Sequence, residues 1–248
     1  MDLLLVEERR AVVAYCRRMV ADGLVVGTSG NISARRGELI AVTPSGLAYE
    51  ELTPELVGVH RLDGTPVDAP LPPTTELPTH LAAYRATGGN AVVHTHSTAA
   101  TAVATLVDEL PSVHYLVALF GGPIRVARYA TYGTDDLADS VTEALTGRTG
   151  CLLGNHGTIA VGDTLAKAYA KAQYLEWLCD VWLRAKAAGE PRVLDAAEID
   201  RVSRKLASYG ATVPDARGDV TGADTRGDVT EADARGDVTE ADATPDPR

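Results

Sequence analysis

The chain has 248 residues, of which 45% are hydrophobic and 23% charged, and a formal net charge of −11. That length and balance fit one globular core, and no apolar run approaches the ~18 residues of a bilayer span, so no membrane-spanning helix is expected. The acidic surplus offers no electrostatic footprint for nucleic acid, while Cys16, Cys151 and Cys179, an odd set lying in apolar stretches without metal-ligand spacing, are expected to be buried free thiols.

The opening MDLLLVEERR places apolar and acidic residues ahead of any basic one, the reverse of a secretory leader, so a cytoplasmic location is expected. From Val6 to Val20, the residues Val12, Val13, Cys16, Met19 and Val20 recur at helical spacing and Asp22-Gly23 supplies a stop, which predicts an amphipathic first helix. Between Leu24 and Val67, β-branched runs such as Glu38 to Val42 and Val57 to Leu62 alternate with Gly and Pro, the pattern of strands joined by turns. Residues 75 to 87 read as a helix. Ala91-Val92-Val93 is a strand leading into His94, and Cys151-Leu152-Leu153 and Thr158 to Val161 are core strands flanking a turn at Gly154 to Gly157. Thr164 to Ala188, with Leu165, Ala168, Ala172, Leu175, Cys179 and Trp182 at spacings of three and four, is the longest helix. Asp195 and Glu198 form a capping-box-like start to a last helix that turns Ile199, Val202 and Leu206 inward and stops near Gly210.

Strands with helices on both sides predict the α/β class, as a three-layer α/β/α domain over residues 1–213. Hairpin-like spacing in the first third makes its central sheet mixed and largely antiparallel. Beyond it, RGDVT recurs at Arg217, Arg226 and Arg235, with ten acidic and four basic residues in 214–248 and Val220, Val229 and Val238 as the sizeable apolar ones. So little burial cannot offset the entropy of ordering, and residues 214–248 are expected to be a disordered acidic repeat tail. Its Arg-Gly-Asp triplets are read as repeat expansion.

The sharpest chemical signal is Val92-Val93-His94-Thr95-His96, since residues two apart on an extended segment project from the same face. Two buried imidazoles side by side are costly unless something binds them. His156, in the Gly154 to Gly157 turn, offers a third. Three neutral nitrogens with an open fourth position are the donor set of a catalytic zinc. Glu76 stands at a helix start, where it is either a charge favoured by the helix dipole or a fourth ligand that gives way to substrate and acts as general base. His80, one turn on, is either in support of that site or on the surface. Gly27 to Ser33 and Thr43-Pro44-Ser45-Gly46 read as loops rich in glycine and hydroxyls, with Thr74-Thr75 offering a third, suited to wrap a phosphate with N–H and O–H groups. None matches a Walker loop or a dinucleotide fingerprint.

In this order, TSGNIS at 28–33, TPSG at 43–46, TTE at 74–76, HTH at 94–96 and NHG at 155–157 resemble the class II aldolase/epimerase family. The resemblance runs from about residue 5 to 210 and includes His114-Tyr115, Gly121-Gly122, the stretch Tyr129 to Thr134 and Ser208-Tyr209-Gly210. It implies Zn2+, or another divalent ion, on His94, His96 and His156, with Glu76 as the ligand that leaves and becomes the acid/base. It implies a phosphate pocket of Gly30, Asn31, Ser45, Gly46, Thr74 and Thr75. Tyr115 would give a proton to the aldehyde oxygen and Tyr209 would assist, both from a neighbouring subunit of a homotetramer with sites at its interfaces. The implied reaction is cleavage of a ketose 1-phosphate, of the L-fuculose 1-phosphate kind, to dihydroxyacetone phosphate and an aldehyde through a metal-stabilised enediolate. No active-site lysine is then required, in keeping with the absence of lysine before Lys167.

Several positions depart from the family pattern: Thr74 and Thr75 stand for paired serines, Ser45 for a threonine, Asn155 for a histidine, and Tyr132 for a phenylalanine that contacts the aldehyde. Related activities remain as alternatives. An L-ribulose-5-phosphate 4-epimerase typically carries aspartate where this chain has Glu76, although Pro78 to Ala82 is epimerase-like. A 5-deoxypentulose-1-phosphate aldolase and a methylthioribulose-1-phosphate dehydratase are the others. An inert scaffold of the adducin kind is disfavoured by the retention of three histidines and Glu76.

Overall fold

The computed structural model describes residues 3–208, so the expected tail, the domain end at 213 and Tyr209 lie outside the described residues. Helix α1 (Val6–Ala21) buries Val12, Val13, Cys16 and Met19 of the stripe its periodicity marks, while Val20, counted in that stripe, is exposed. Strands β1 (Asn31–Arg36), β2 (Leu39–Val42), β3 (Gly58–Arg61) and β4 (Pro66–Asp68) follow as an antiparallel meander. Here the structure corrects the reading of Gly27 to Ser33 as loop throughout, because Asn31, Ile32 and Ser33 open β1. β1 pairs with β2 on one side and with β5 (Ala91–Thr95) on the other, and pairing on both edges overrides a turn-like composition.

The remaining elements are α2 (Leu77–Thr87), α3 (Thr98–Ala104), β6 (Glu109–Leu110), a 3-10 helix (Tyr115–Phe120), β7 (Ile124–Ala127), α4 (Asp135–Leu145), β8 (Gly150–Leu153), β9 (Gly157–Gly162), α5 (Leu165–Ala188) and α6 (Ala196–Ser208). The strands form one sheet in the order β4-β3-β2-β1-β5-β9-β8-β7-β6. Among the described residues the pairing is antiparallel except between β7 and β8, which α4 connects. The sheet is therefore mixed and largely antiparallel, as expected.

Alternation along the strands splits the core in two. Ala91 and Val93 face a cluster with α1, α3 and α5, whereas Val92 faces a second cluster with α2 and α4. Helices on both faces bury every residue of β5, β8 and β9, which is why these strands read as continuous apolar runs. The expected cap at Asp195 forms, its carboxylate accepting from Glu198 N at 2.7 Å, and Thr164, read as the first residue of the long helix, instead caps it, its Oγ1 accepting from Lys167 N at 3.2 Å. All three cysteines are free and buried.

Two backbone features set the end of the sheet where the histidines gather. Asn155 turns the β8–β9 hairpin at φ 54°, a left-handed conformation that asparagine tolerates better than most residues. Gly157 then begins β9 so close to β5 that a Cβ would lie 2.1 Å from the Thr95 carbonyl oxygen. Gly157→Ala is accordingly expected to cost roughly 2–4 kcal/mol and to lower the thermal midpoint by about 5–10 °C in differential scanning calorimetry. A midpoint equal to the parent's would show that the hairpin yields without cost.

Candidate metal centre

The ladder places Asn31 of β1 opposite His94 of β5, and His96 follows as the chain leaves that strand. The two rings meet edge to face with their Nε2 atoms 2.8 Å apart. The hairpin swings His156 in from the other side, its ring centroid 4.9 Å from that of His94 and 4.7 Å from that of His96. Glu76 closes the cluster from the N-cap position of α2, with Oε2 2.6 Å from His94 Nε2 and Oε1 3.2 Å from His156 Nε2. One ligand atom from each of the four lies within 4.8 Å of the others. The side chain of Glu76 makes no cap to its own helix; instead Thr74 Oγ1 accepts from Glu76 N at 3.3 Å.

The donor set fits a divalent metal. His94 Nδ1 stands 2.8 Å from the Thr158 carbonyl, which can only accept, so Nδ1 carries a proton and Nε2 is the ring nitrogen that faces the cluster, where it meets Glu76 in the metal-free protein and is free to bind a cation once deprotonated. Two ring nitrogens 2.8 Å apart repel unless a proton or cation lies between them, and Glu76 Oε1 is buried without a hydrogen bond. Three imidazole nitrogens and a carboxylate oxygen are what zinc and similar ions accept.

Electrostatics keeps these groups ready to bind. Burial opposes ionisation of Glu76, but the charge and hydrogen bond of His94, with His156 and the Asn31 amide, outweigh it and hold the carboxyl well below the usual range. Burial likewise opposes protonation of His94, whose pKa is nevertheless raised by Glu76 and by the Thr158 carbonyl. His96 is pushed down to about 3 and His156 to about 4, by burial first and then by the charge of His94. Both are therefore neutral ligands at physiological pH.

Above the cluster opens a cleft of about 390 Å³, and all six residues expected at the phosphate, Gly30, Asn31, Ser45, Gly46, Thr74 and Thr75, line it together with Glu76, His96 and His156. Among the described residues its lining includes neither lysine nor arginine, so an anion there would be met by hydroxyls and backbone N–H groups. Tyr129, Ala130 and Tyr132, on the segment leaving β7, form the outer rim with Asn155. Tyr115 does not join this cleft in its own chain. It starts the 3-10 helix, 47% exposed, beside a separate groove with Leu116, Leu119 and Tyr174. His80, left open between support and surface, is fully buried and bonded to Asn31 and Ser33. Ser33 and Tyr84 were not marked by the sequence reading; the spacing of Glu76, His80 and Tyr84 by four was the available signal.

The sequence pattern of the Class II Aldolase and Adducin N-terminal domain matches residues 10–183. The chain is 41% identical over 211 residues to the 5-deoxy-D-ribulose 1-phosphate aldolase of Bacillus thuringiensis serovar kurstaki, covering 84% of this chain and 99% of that one. It is 37% identical over 209 residues to the L-fuculose phosphate aldolase of Escherichia coli K12, covering 83% and 97%. A solved L-fuculose 1-phosphate aldolase superposes with a TM-score of 0.79 at 34% identity, over 81% of this chain and 96% of that one.

Two measurements test the centre. His96→Ala should lower bound divalent metal from about one ion per chain to near none by elemental analysis, with the circular dichroism spectrum unchanged; retained stoichiometry would remove His96 from the ligand set. The second concerns His80, which burial pushes from an ordinary 6.5 down to about 3. A histidine with a depressed folded pKa lends stability that is full above 6.5 and is lost as pH falls toward 3. Metal-free His80→Gln should therefore lose thermal midpoint less steeply than the parent across that window, and parallel acid limbs would contradict this.

Proposed function

The chain belongs to the Class II Aldolase and Adducin N-terminal domain family, and from that premise we propose that this aldolase cleaves a ketose 1-phosphate between C3 and C4 into dihydroxyacetone phosphate and a short aldehyde. The observation that carries the reading is the convergence of His94, His96, His156 and Glu76 at the floor of a cleft whose wall is rich in hydroxyls and, among the described residues, holds no lysine or arginine. A metal and a phosphate are thereby recognised side by side.

A divalent ion, with zinc as the first choice, held by His94, His96 and His156, supplies Lewis acidity at the substrate carbonyl and adjacent hydroxyl, where negative charge develops. The chain's own groups do the rest. Gly30, Asn31, Ser45, Gly46, Thr74 and Thr75 anchor the phosphate. In the condensation direction Glu76 takes the proton from C3 of dihydroxyacetone phosphate, and a tyrosine hydroxyl gives a proton to the aldehyde oxygen; cleavage is the reverse. The exposure of Tyr115 outside its own cleft supports its delivery to the cleft of a neighbouring subunit, in a homotetramer, with Tyr209 assisting there. A phosphorylated substrate and three free thiols fit a cytoplasmic enzyme.

The names of the relatives guide the choice of substrate. 5-Deoxy-D-ribulose 1-phosphate would release a two-carbon aldehyde and L-fuculose 1-phosphate a three-carbon hydroxyaldehyde. Both aldehydes end in a methyl group, which would meet the rim of Tyr129, Ala130, Tyr132 and Asn155. The higher identity to the 5-deoxyribulose enzyme makes its substrate the first to test.

With metal-loaded protein and a coupled assay for dihydroxyacetone phosphate, both 1-phosphates should release triose phosphate. Glu76→Gln should lower kcat by roughly 10²–10⁴-fold while metal remains on the three histidines. Consumption of a pentulose 5-phosphate without triose release would instead establish an epimerase.

A further inference from the structure

Helix α2 stacks Glu76, His80 and Tyr84 at intervals of four, one above the next. Strand β1 sets Asn31 and Ser33 on one face, the face that α2 covers. The two columns interlock through four contacts. The Tyr84 hydroxyl lies 2.7 Å from Ser33 Oγ, Ser33 Oγ 2.7 Å from His80 Nδ1, His80 Nε2 2.5 Å from Asn31 Oδ1, and Asn31 Nδ2 3.1 Å from Glu76 Oε2. Each member is at most 6% exposed.

We propose that His80, Ser33 and Tyr84 are positioning residues whose one-way hydrogen-bond chain fixes the Asn31 amide and thereby divides the labour of Glu76, with Oε2 as the anchored oxygen and Oε1 as the one that exchanges a proton with substrate. The chain follows from the contacts alone; the proton exchange rests on the aldolase reading.

Its direction follows group by group. An ionised carboxylate only accepts, so Asn31 turns its N–H toward Glu76 and its carbonyl toward His80. That carbonyl needs a donor, which makes His80 the neutral Nε2–H form with a bare Nδ1. Ser33 donates its one hydrogen to Nδ1, leaving Ser33 Oγ to accept from Tyr84, whose phenol burial pushes up and keeps protonated. The other histidine tautomer would set two acceptors face to face at 2.5 Å, or flip the amide so that its oxygen met the carboxylate, each leaving buried polar groups unpaired. At the far end, Oε2 is held by Asn31 Nδ2 and lies 2.6 Å from His94 Nε2. Oε1 makes no hydrogen bond, with His156 Nε2 standing 3.2 Å away.

The test uses the full chain labelled with ¹⁵N at histidine, metal-free and zinc-loaded. The parent should show His80 as the Nε2–H tautomer by its ring nitrogen shifts in both states. Ser33→Ala should admit the second tautomer and lower kcat by about tenfold, with KM within about twofold of the parent's and metal stoichiometry unchanged. Ser33→Thr, which keeps the hydroxyl, should restore both. An Nδ1–H tautomer in the parent overturns the chain, and so does Ser33→Ala with parental kcat. If Ser33→Ala fails to fold, Tyr84→Phe and the parent tautomer decide. Failure of the parent to cleave any ketose 1-phosphate would refute the aldolase reading while the tautomer still judges the chain.

Discussion

The register of β5 between β1 and β9 is the constraint on which the site depends. Side chains alternate with a period of two, so slipping β5 by one residue would carry His94 to the opposite face of the sheet and exchange it for Val93. The register is set by burial on both faces: Ala91 and Val93 fill one cluster and Val92 the other, and neither could cross without exposing apolar surface or burying an imidazole among hydrocarbons. The packing of the three-layer core thus also aims the histidines. Gly157 contributes by letting the β9 backbone approach Thr95, which brings the hairpin and His156 within reach.

Glu76 shows how such a core can hold a carboxylate. A buried carboxylate without partners would neutralise itself. Here it is kept charged by His94 and His156 and by the Asn31 amide, so the anion and the imidazoles stabilise one another in metal-free protein. The same arrangement suits a cation, because a divalent ion would satisfy both the carboxylate and the facing ring nitrogens. Among the described residues the cleft is lined by neither lysine nor arginine, so a phosphate bound there would be met by hydroxyls and backbone donors.

Some of this was legible in the chain itself, for physical reasons. The i,i+2 histidines declared a strand face, the continuous apolar runs declared a sheet covered on both sides, and the long helix from Thr164 declared itself by its period. Other elements left weaker traces. α3 is a seven-residue helix of alanine, threonine and valine, too short to hold itself in spite of its alanines, and it is held at its start by Glu176, whose carboxylate accepts from Ala99 N and Ala100 N at 2.9 Å each. α4 did carry a signal in Leu137, Val141 and Leu145 behind its Thr134 cap. β1 was hidden because the glycines and hydroxyls of Gly27 to Ser33 suggested only a turn.

What the sequence by itself determined is therefore the chemistry on offer: three imidazoles, one carboxylate, hydroxyl-rich loops, and enough periodic apolar residues to enclose them in an α/β core. Those are properties of residue type and short-range spacing. Only the tertiary structure decided that Asn31 faces His94 across a ladder, that His80 is buried rather than exposed, and that Ser33 and Tyr84 stand behind it while Tyr115 points away from its own cleft. Each of these depends on which strands become neighbours and which helix face covers them, and that choice is made by long-range burial that no local window contains.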